Sequence, residues 1–256
     1  MILASLSLDG RAPSFPFVRP MGLDALLVSF ANRFTEAPNR AALAFRAELE
    51  CLNWAEVAET APTLVSVVVR LVAGAQSSAD VSDRLRALLQ SRDWYDAPLP
   101  DGRRHWRIPT VFGGSLAPGL DSAAQAAGVD TATAITEWSQ VRVRVLTIGF
   151  APGQPYLGVL PPRWDIPRQT SLTPRVPQGA LVQAVRQFVL FSRPSPTGWR
   201  HVGQTAFRSF RPGATVAFPL RPGDEISFVP TDRDHIERLL ADPDGSDGGA
   251  EAEQVG

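Results

Sequence analysis

The chain reads as an α+β protein: a small mixed domain at the N-terminal end, followed by a larger domain built as a β-barrel. Two observations predict this division. From Phe17 to Asp93 the apolar pattern runs strand, helix, strand, helix, the order of a compact α+β sandwich. From Val141 onward, short apolar runs alternate with Gly/Pro turns, which is the punctuation of a barrel. A third observation places the boundary. Trp94 to Arg104 is polar and carries two prolines, so residues 94–104 read as a linker.

Residues 1–16, with Gly10, Pro13 and Pro16, read as a loose extension, and 17–93 as the first domain. Ala25 to Phe30 is a compact apolar run suited to a strand. Asn39 to Leu52 places Ala41, Leu43, Ala44, Leu49 and Leu52 at helical spacing. Leu64 to Val72 is rich in β-branched side chains, which pack well on a pleated surface. Asp80 is a candidate N-cap for a helix through Leu85, Leu88 and Leu89. The second domain, 105–240, opens with a strand at His105 to Phe112. Two short helices follow, Asp121 to Gly128 and Thr131 to Ser139. Strands are expected at Val141–Ile148, Ala180–Ala184, Phe188–Phe191, Thr215–Phe218 and Glu225–Val229, with a last helix at Asp232–Leu240. Residues 241–256, rich in Asp, Gly, Glu and Ala, read as a disordered tail.

Composition removes several function classes. The chain has 256 residues, 44% of them apolar, and a formal net charge of −1, so it carries no electrostatic footprint for nucleic acid. There is no basic segment leading into an apolar core at the N-terminus and no apolar run of bilayer length; a cytoplasmic protein without a membrane partner is expected. The single cysteine, Cys51, excludes an internal disulfide and reads as a buried helical residue. All 25 Lys/Arg positions are arginine. Without lysine there is no Schiff base, no P-loop lysine and no biotin attachment. His105, His201 and His235 show no metal-ligand spacing, and neither they nor Cys51 suggest a nucleophile–base pair, so no metal is expected and no catalytic residue is assigned.

The densest motif is Gly149-Phe150-Ala151-Pro152-Gly153-Gln154-Pro155-Tyr156-Leu157-Gly158, whose prolines and glycines exclude a continuing helix or central strand. It is followed by Ile166-Pro167-Arg168, Arg175-Val176-Pro177-Gln178-Gly179, Ser195-Pro196-Thr197-Gly198-Trp199, Val202-Gly203-Gln204-Thr205 and Phe210. In this order and spacing the chain resembles the family of the 5-oxoprolinase B-subunit, which includes the sporulation-kinase inhibitor KipI and allophanate hydrolase subunit 1. The resemblance spans about Phe17 to Leu240. It implies a ferredoxin-like first domain and a cyclophilin-like barrel.

Candidate site residues follow from the motifs. Pro152, Gly153 and Tyr156 belong to a rigid loop whose backbone amides and aromatic face could wall a small-molecule pocket. Arg168 and Arg175 each follow a proline, so the backbone beside them is stiff; guanidinium grips a carboxylate through two parallel hydrogen bonds. A surface ion pair or a loop anchor is the alternative for both. Gln187 matches a glutamine of the family pattern and offers a donor and an acceptor. Trp199 is either a pocket face or a plug for the barrel end. The chain also departs from the pattern. Trp138 stands where a histidine is frequent, Gln154 replaces a phenylalanine and Thr197 a glycine. Gln204 stands where arginine is more usual, and His201 at an apolar position.

The resemblance implies a non-autonomous subunit of an ATP-dependent 5-oxoprolinase-type amidohydrolase. Its substrate would be a small cyclic amide bearing a carboxylate, and its partners subunits A and C or their paralogues. No cofactor is expected on this chain alone, ATP being used by the complex. Two alternatives stand beside this: a regulatory binding protein of the kinase-inhibitor type, and a divergent paralogue acting on a urea derivative.

Overall fold

A computed structural model of the chain describes residues 14–73, 78–242, 245 and 247–255. Residues 1–13 of the expected extension lie outside that set. Contacts divide the chain into two compact units, Met1–Pro100 and Asp101–Gly256.

The first unit contains strands β1 (Phe17–Met21) and β2 (Ala25–Ser29), helix α1 (Glu36–Leu52), strands β3 (Val57–Pro62) and β4 (Ser66–Leu71), and helix α2 (Ser78–Gln90). Its sheet has the order β1-β2-β4-β3, antiparallel throughout. Read from β2, the path β2-α1-β3-β4-α2 is that of a ferredoxin-like sandwich. The remaining edge position is filled by β1, from the other end of the chain. Leu26 and Val28 on β2 and Val67 and Val69 on β4 alternate inward. They meet Ala41, Phe45 and Leu49 of α1 and Val81 and Leu85 of α2. Asn53 ends α1 in the left-handed conformation, a role open to asparagine.

Several sequence expectations are corrected in this unit. Asp80 lies inside the first turn of α2, which begins at Ser78. Cys51 is exposed, because it falls on the outer face of α1. The linker is shorter than Trp94 to Arg104. Trp94 is fully buried in the first core, 5.0 Å from Phe45, and its indole donates to Leu88 O at 3.2 Å. The Tyr95 hydroxyl donates to Phe30 O at 2.7 Å. An aromatic pair inside a polar stretch is the first core's final layer, and the next element begins at Arg103.

The second unit runs through β5 (Arg103–Phe112), α3 (Leu120–Ala127), α4 (Thr131–Gln140), β6 (Val143–Ile148), β7 (Pro155–Gly158), β8 (Thr173–Val176), β9 (Ala180–Ala184) and β10 (Gln187–Leu190). It continues with β11 (Ser195–Thr197), β12 (Arg200–Gln204), β13 (Glu225–Pro230), α5 (Arg233–Ala241) and β14 (Glu251–Val255). Seven strands form a closed barrel in the order β12-β9-β10-β7-β6-β13-β5, and β5 returns to β12 through Phe112↔Gly203 and Val111↔Gln204. Gly203 permits that closure. A Cβ there would meet Thr110 Cγ2 at 2.9 Å. Ile108, Val145, Leu157, Leu181, Phe188, Val202 and Phe228 fill the interior.

Strand β9 is buried at all five positions, and the reason is a second layer. Leu181 faces the barrel interior. Ala180, Val182 and Ala184 face outward, into a smaller core with Val176, Val189, Phe191 and Trp199. The two-stranded ribbon β8–β11 stands apart from the barrel sheet and supplies Val176 to that outer core. Thus Trp199 packs outside the barrel wall and does not plug the barrel.

Two further expectations are corrected. Thr215 to Phe218 forms no strand: residues 214–217 are bends, and Val216 and Phe218 are about half exposed, so the apolar run is left without a pairing partner among the described residues. The region from residue 241, expected to be a disordered tail, contains β14. This strand pairs antiparallel with β5 from Arg103 to Arg107. Glu253 Oε1 lies 3.1 Å from His105 Nδ1, and Ser227 Oγ lies 2.9 Å from the other ring nitrogen. Composition hid the strand, since three of its five side chains are polar and it pairs only along β5's free edge.

Candidate functional site

Three motif segments that are far apart in sequence meet beside the outer core. The Gly149–Gly158 loop contributes Phe150, Gln154 and Tyr156, the segment after Pro167 contributes Arg168 and Leu172, and the Ser195–Trp199 turn contributes Trp199. Together they wall a cavity of about 330 Å³. The loop is held by its own hydrogen bonds, Gly149 N–H to Gln154 O at 3.0 Å and Gln154 N–H to Ala151 O at 3.1 Å. Gly153 has φ +68°, and a Cβ there would stand 2.4 Å from Ser209 O, so only glycine fits. Those internal bonds occupy two of the backbone amides that the loop was expected to present to a pocket.

The cavity combines one cation, aromatic faces and an unsatisfied acceptor. Arg168 is exposed, and its guanidinium carbon lies 5.4 Å from the centre of the Trp199 ring. It makes no hydrogen bond or ion pair with any described residue. Tyr156 and Trp199 meet edge to face at 6.4 Å. Burial raises the Tyr156 phenol above its ordinary range, and the charge of Arg168 and the Gln154 amide offset part of that rise. Gln154 is buried, and its Oε1 has no hydrogen-bond partner among the described residues. A buried orphan acceptor costs about 1–3 kcal/mol, which a bound donor would recover.

Arg175 lies elsewhere. It lines a separate cavity of about 500 Å³ with Ser115, Ser122, Gln169, Gln178, His201 and Gln204. The two cavities share no lining residue, and neither wall includes a carboxylate. Arg175 is exposed and, like Arg168, has no partner among the described residues.

The other sequence candidates are placed as follows. Pro152 is exposed on the loop, and Gly153 is buried against Ser209 and Phe210. Neither lines a described cavity. Gln187 sits half-buried in β10 opposite Gly158 and Ala184 and reaches neither cavity. Trp138, where the family pattern often has histidine, is fully buried, 4.4 Å from Trp164 and 5.6 Å from Phe188. An indole packed there replaces an ionisable group with core. His201 and Gln204 receive no role from the sequence. The available signal is their position: two polar side chains at places where the family pattern has other residue types, in a strand that proves almost wholly buried.

Among the described residues no cluster of three His, Cys, Asp or Glu could hold a metal ion. No helix there is long and apolar enough to cross a membrane.

A cyclophilin-like barrel joined to a ferredoxin-like unit, with these motif blocks meeting at one cavity, defines a carboxyltransferase-type domain. The chain belongs to the family "Carboxyltransferase domain, subdomain C and D", whose profile matches residues 16–220. It is 31% identical to the 5-oxoprolinase B-subunit of Escherichia coli O157:H7 over 175 residues, covering 68% of this chain and 78% of that protein. It is 27% identical to the 5-oxoprolinase B-subunit of Bacillus subtilis (strain 168) over 226 residues, 83% of this chain and 91% of that one. Among solved structures it resembles the urea amidolyase of K. lactis with a TM-score of 0.70 at 17% identity. That likeness, which concerns the fold alone, takes in 93% of this chain but only 16% of the much longer amidolyase.

Proposed function

We propose that this chain is the B-subunit component of a 5-oxoprolinase-type amidohydrolase complex and binds a small cyclic amide bearing a carboxylate. The observation that carries the reading is the meeting of Tyr156, Arg168 and Trp199, from three matched segments, around one cavity. The names of the bacterial relatives point the same way. In this reading Arg168 pairs with the carboxylate, Gln154 Oε1 accepts the amide N–H, and Trp199, Phe150 and Leu172 cover the ring. Tyr156, a neutral phenol whose pKa burial raises further, is a hydrogen-bond donor to the amide carbonyl.

ATP is used by the assembled complex, with the nucleotide held on partner subunits, because this chain has neither lysine nor a P-loop. The partners are subunits A and C or their paralogues, and the isolated chain turns nothing over. The test is purification from native extract, then assay of the complex and of the chain alone with 5-oxoproline and ATP. Turnover by the complex but not by the chain is expected. Co-purification of a sensor kinase in place of two enzyme subunits would sink the reading, as would full turnover by the chain alone.

A further inference from the structure

We infer that the face around the ribbon β8–β11 is a docking surface for an acidic face of the protein that partners this chain. The inference rests on the reading of the chain as one member of a complex. It adds where the partner binds and which chemistry it presents.

Charge is spread very unevenly along the sequence. Residues 150–222 hold nine arginines and one acidic residue, Asp165, a formal charge of +8 in a chain whose total is −1. Arg163 and Arg211 find carboxylates outside the segment, Glu137 and Asp247. Arg175 and Arg193 are exposed and have no partner among the described residues. Arg175 lies on β8, Arg193 stands two residues before β11, and Val176 pairs with Ser195. That pairing sets both arginines at the same end of the ribbon. Neither flanking cavity is lined by a carboxylate, so the repulsion between them is answered only by charge from another molecule.

The same segment exposes apolar anchors. Phe150 is 79% exposed and Leu172 68%, both at the wall of the aromatic cavity. Half-exposed Phe218 stacks on Phe210 at 5.2 Å, and Phe210 packs against Gly153 of the Phe150 loop. Pro174 and Pro196 are exposed on the two ribbon strands and stiffen them, which lowers the ordering cost of binding. Aromatic side chains beside arginines, with acidic residues excluded, are the composition of a protein interface core. A nucleic acid would leave Leu172 and the two prolines without apolar contacts. The segment's described residues form no α-helix to lie in a bilayer surface.

The experiment compares the complex purified from native extract with the full chain alone. Hydrogen exchange at the ribbon amides is expected to slow in the complex. The double variant Arg175→Glu/Arg193→Glu should weaken association by about tenfold or more, and the native complex should weaken by a similar factor between about 50 and 500 mM salt. Reversal relieves like-charge repulsion, so the melting temperature of the double variant should not fall. Arg33→Glu, at an exposed arginine of the first unit, should stay within about twofold of the native affinity. Ribbon amides that exchange as in the free chain would overturn the inference. So would native affinity in the double variant, a native chain that carries no protein partner, or ribbon protection produced instead by phosphatidylserine vesicles or single-stranded RNA. A ribbon footprint made by a sensor kinase would keep this surface and remove the enzymatic reading. Turnover of 5-oxoproline by a complex whose footprint lies elsewhere would do the reverse.

Discussion

Arg168 holds its guanidinium 5.4 Å from the centre of the Trp199 ring, while Arg175, on the same stretch of chain, turns into a different cavity. Two arginines that look equivalent in sequence, each behind a proline, therefore serve separate surfaces. The backbone between them enters β8 at Thr173, and the ribbon it forms with β11 supplies Thr173 and Arg175 to one cavity and Pro196 and Thr197 to the other.

Arg168→Ala should weaken binding of 5-oxoproline by about 10- to 100-fold, the worth of a charge-assisted hydrogen bond. Arg168→Lys should recover only part, since an ammonium reproduces neither the planar fork nor the stacking on Trp199. The side chain is exposed, so thermal unfolding should hardly move. Calorimetric titration beside thermal denaturation checks both statements. Unchanged affinity in Arg168→Ala would remove the residue from the binding role.

Gly153→Ala should destabilise the second unit by on the order of 3 kcal/mol. Its left-handed backbone is strained for any residue with a Cβ, and the added methyl would lie 2.4 Å from Ser209 O. Gly149→Ala, in the same loop, meets nothing within 4 Å and should be nearly neutral. Chemical denaturation of both variants tests the contrast; equal stabilities would mean that the loop relaxes freely.

The sequence is legible where burial and periodicity agree. Ala180–Ala184 reads with its observed limits, because a run of small apolar residues between turn signals has few other uses. Helices α3 and α4 are readable from Gly128 and Asp130, and the latter does cap α4 through Thr133 N–H at 2.6 Å. Strands β1, β3, β7, β8 and β11 are not legible. Each contains a proline, and the short polar ribbon β8–β11 owes its pairing to the outer core beneath it. The site is partly legible: Tyr156, Arg168 and Trp199 do come together, whereas Gln187 and Arg175 go elsewhere. No spacing rule reveals on which side of a ribbon a side chain will fall. The same limit hides His201, whose meaning depends on burial beside Gln204.

The last expectation concerns pH. Burial pushes the pKa of His201 below the ordinary value near 6.5, with the Gln204 side chain and the backbone at Gly203 offsetting only part. The unfolded chain therefore binds this proton more readily than the folded one. Stability from this source is complete above about pH 6.5 and is lost as the pH falls through that value toward the folded pKa. No carboxylate lines the cavity to hold the charged ring in place. The carboxylates whose affinities folding lowers, Asp130 and Asp232, start from about 3.8 and so lie outside this window. Melting temperatures of the native chain should fall between about pH 6.5 and 5, and His201→Leu should flatten that fall. The variant should also overtake the native chain toward the acid end, since leucine has no proton to take up in a buried site. Parallel curves for the two proteins across that interval would show that His201 does not titrate on unfolding.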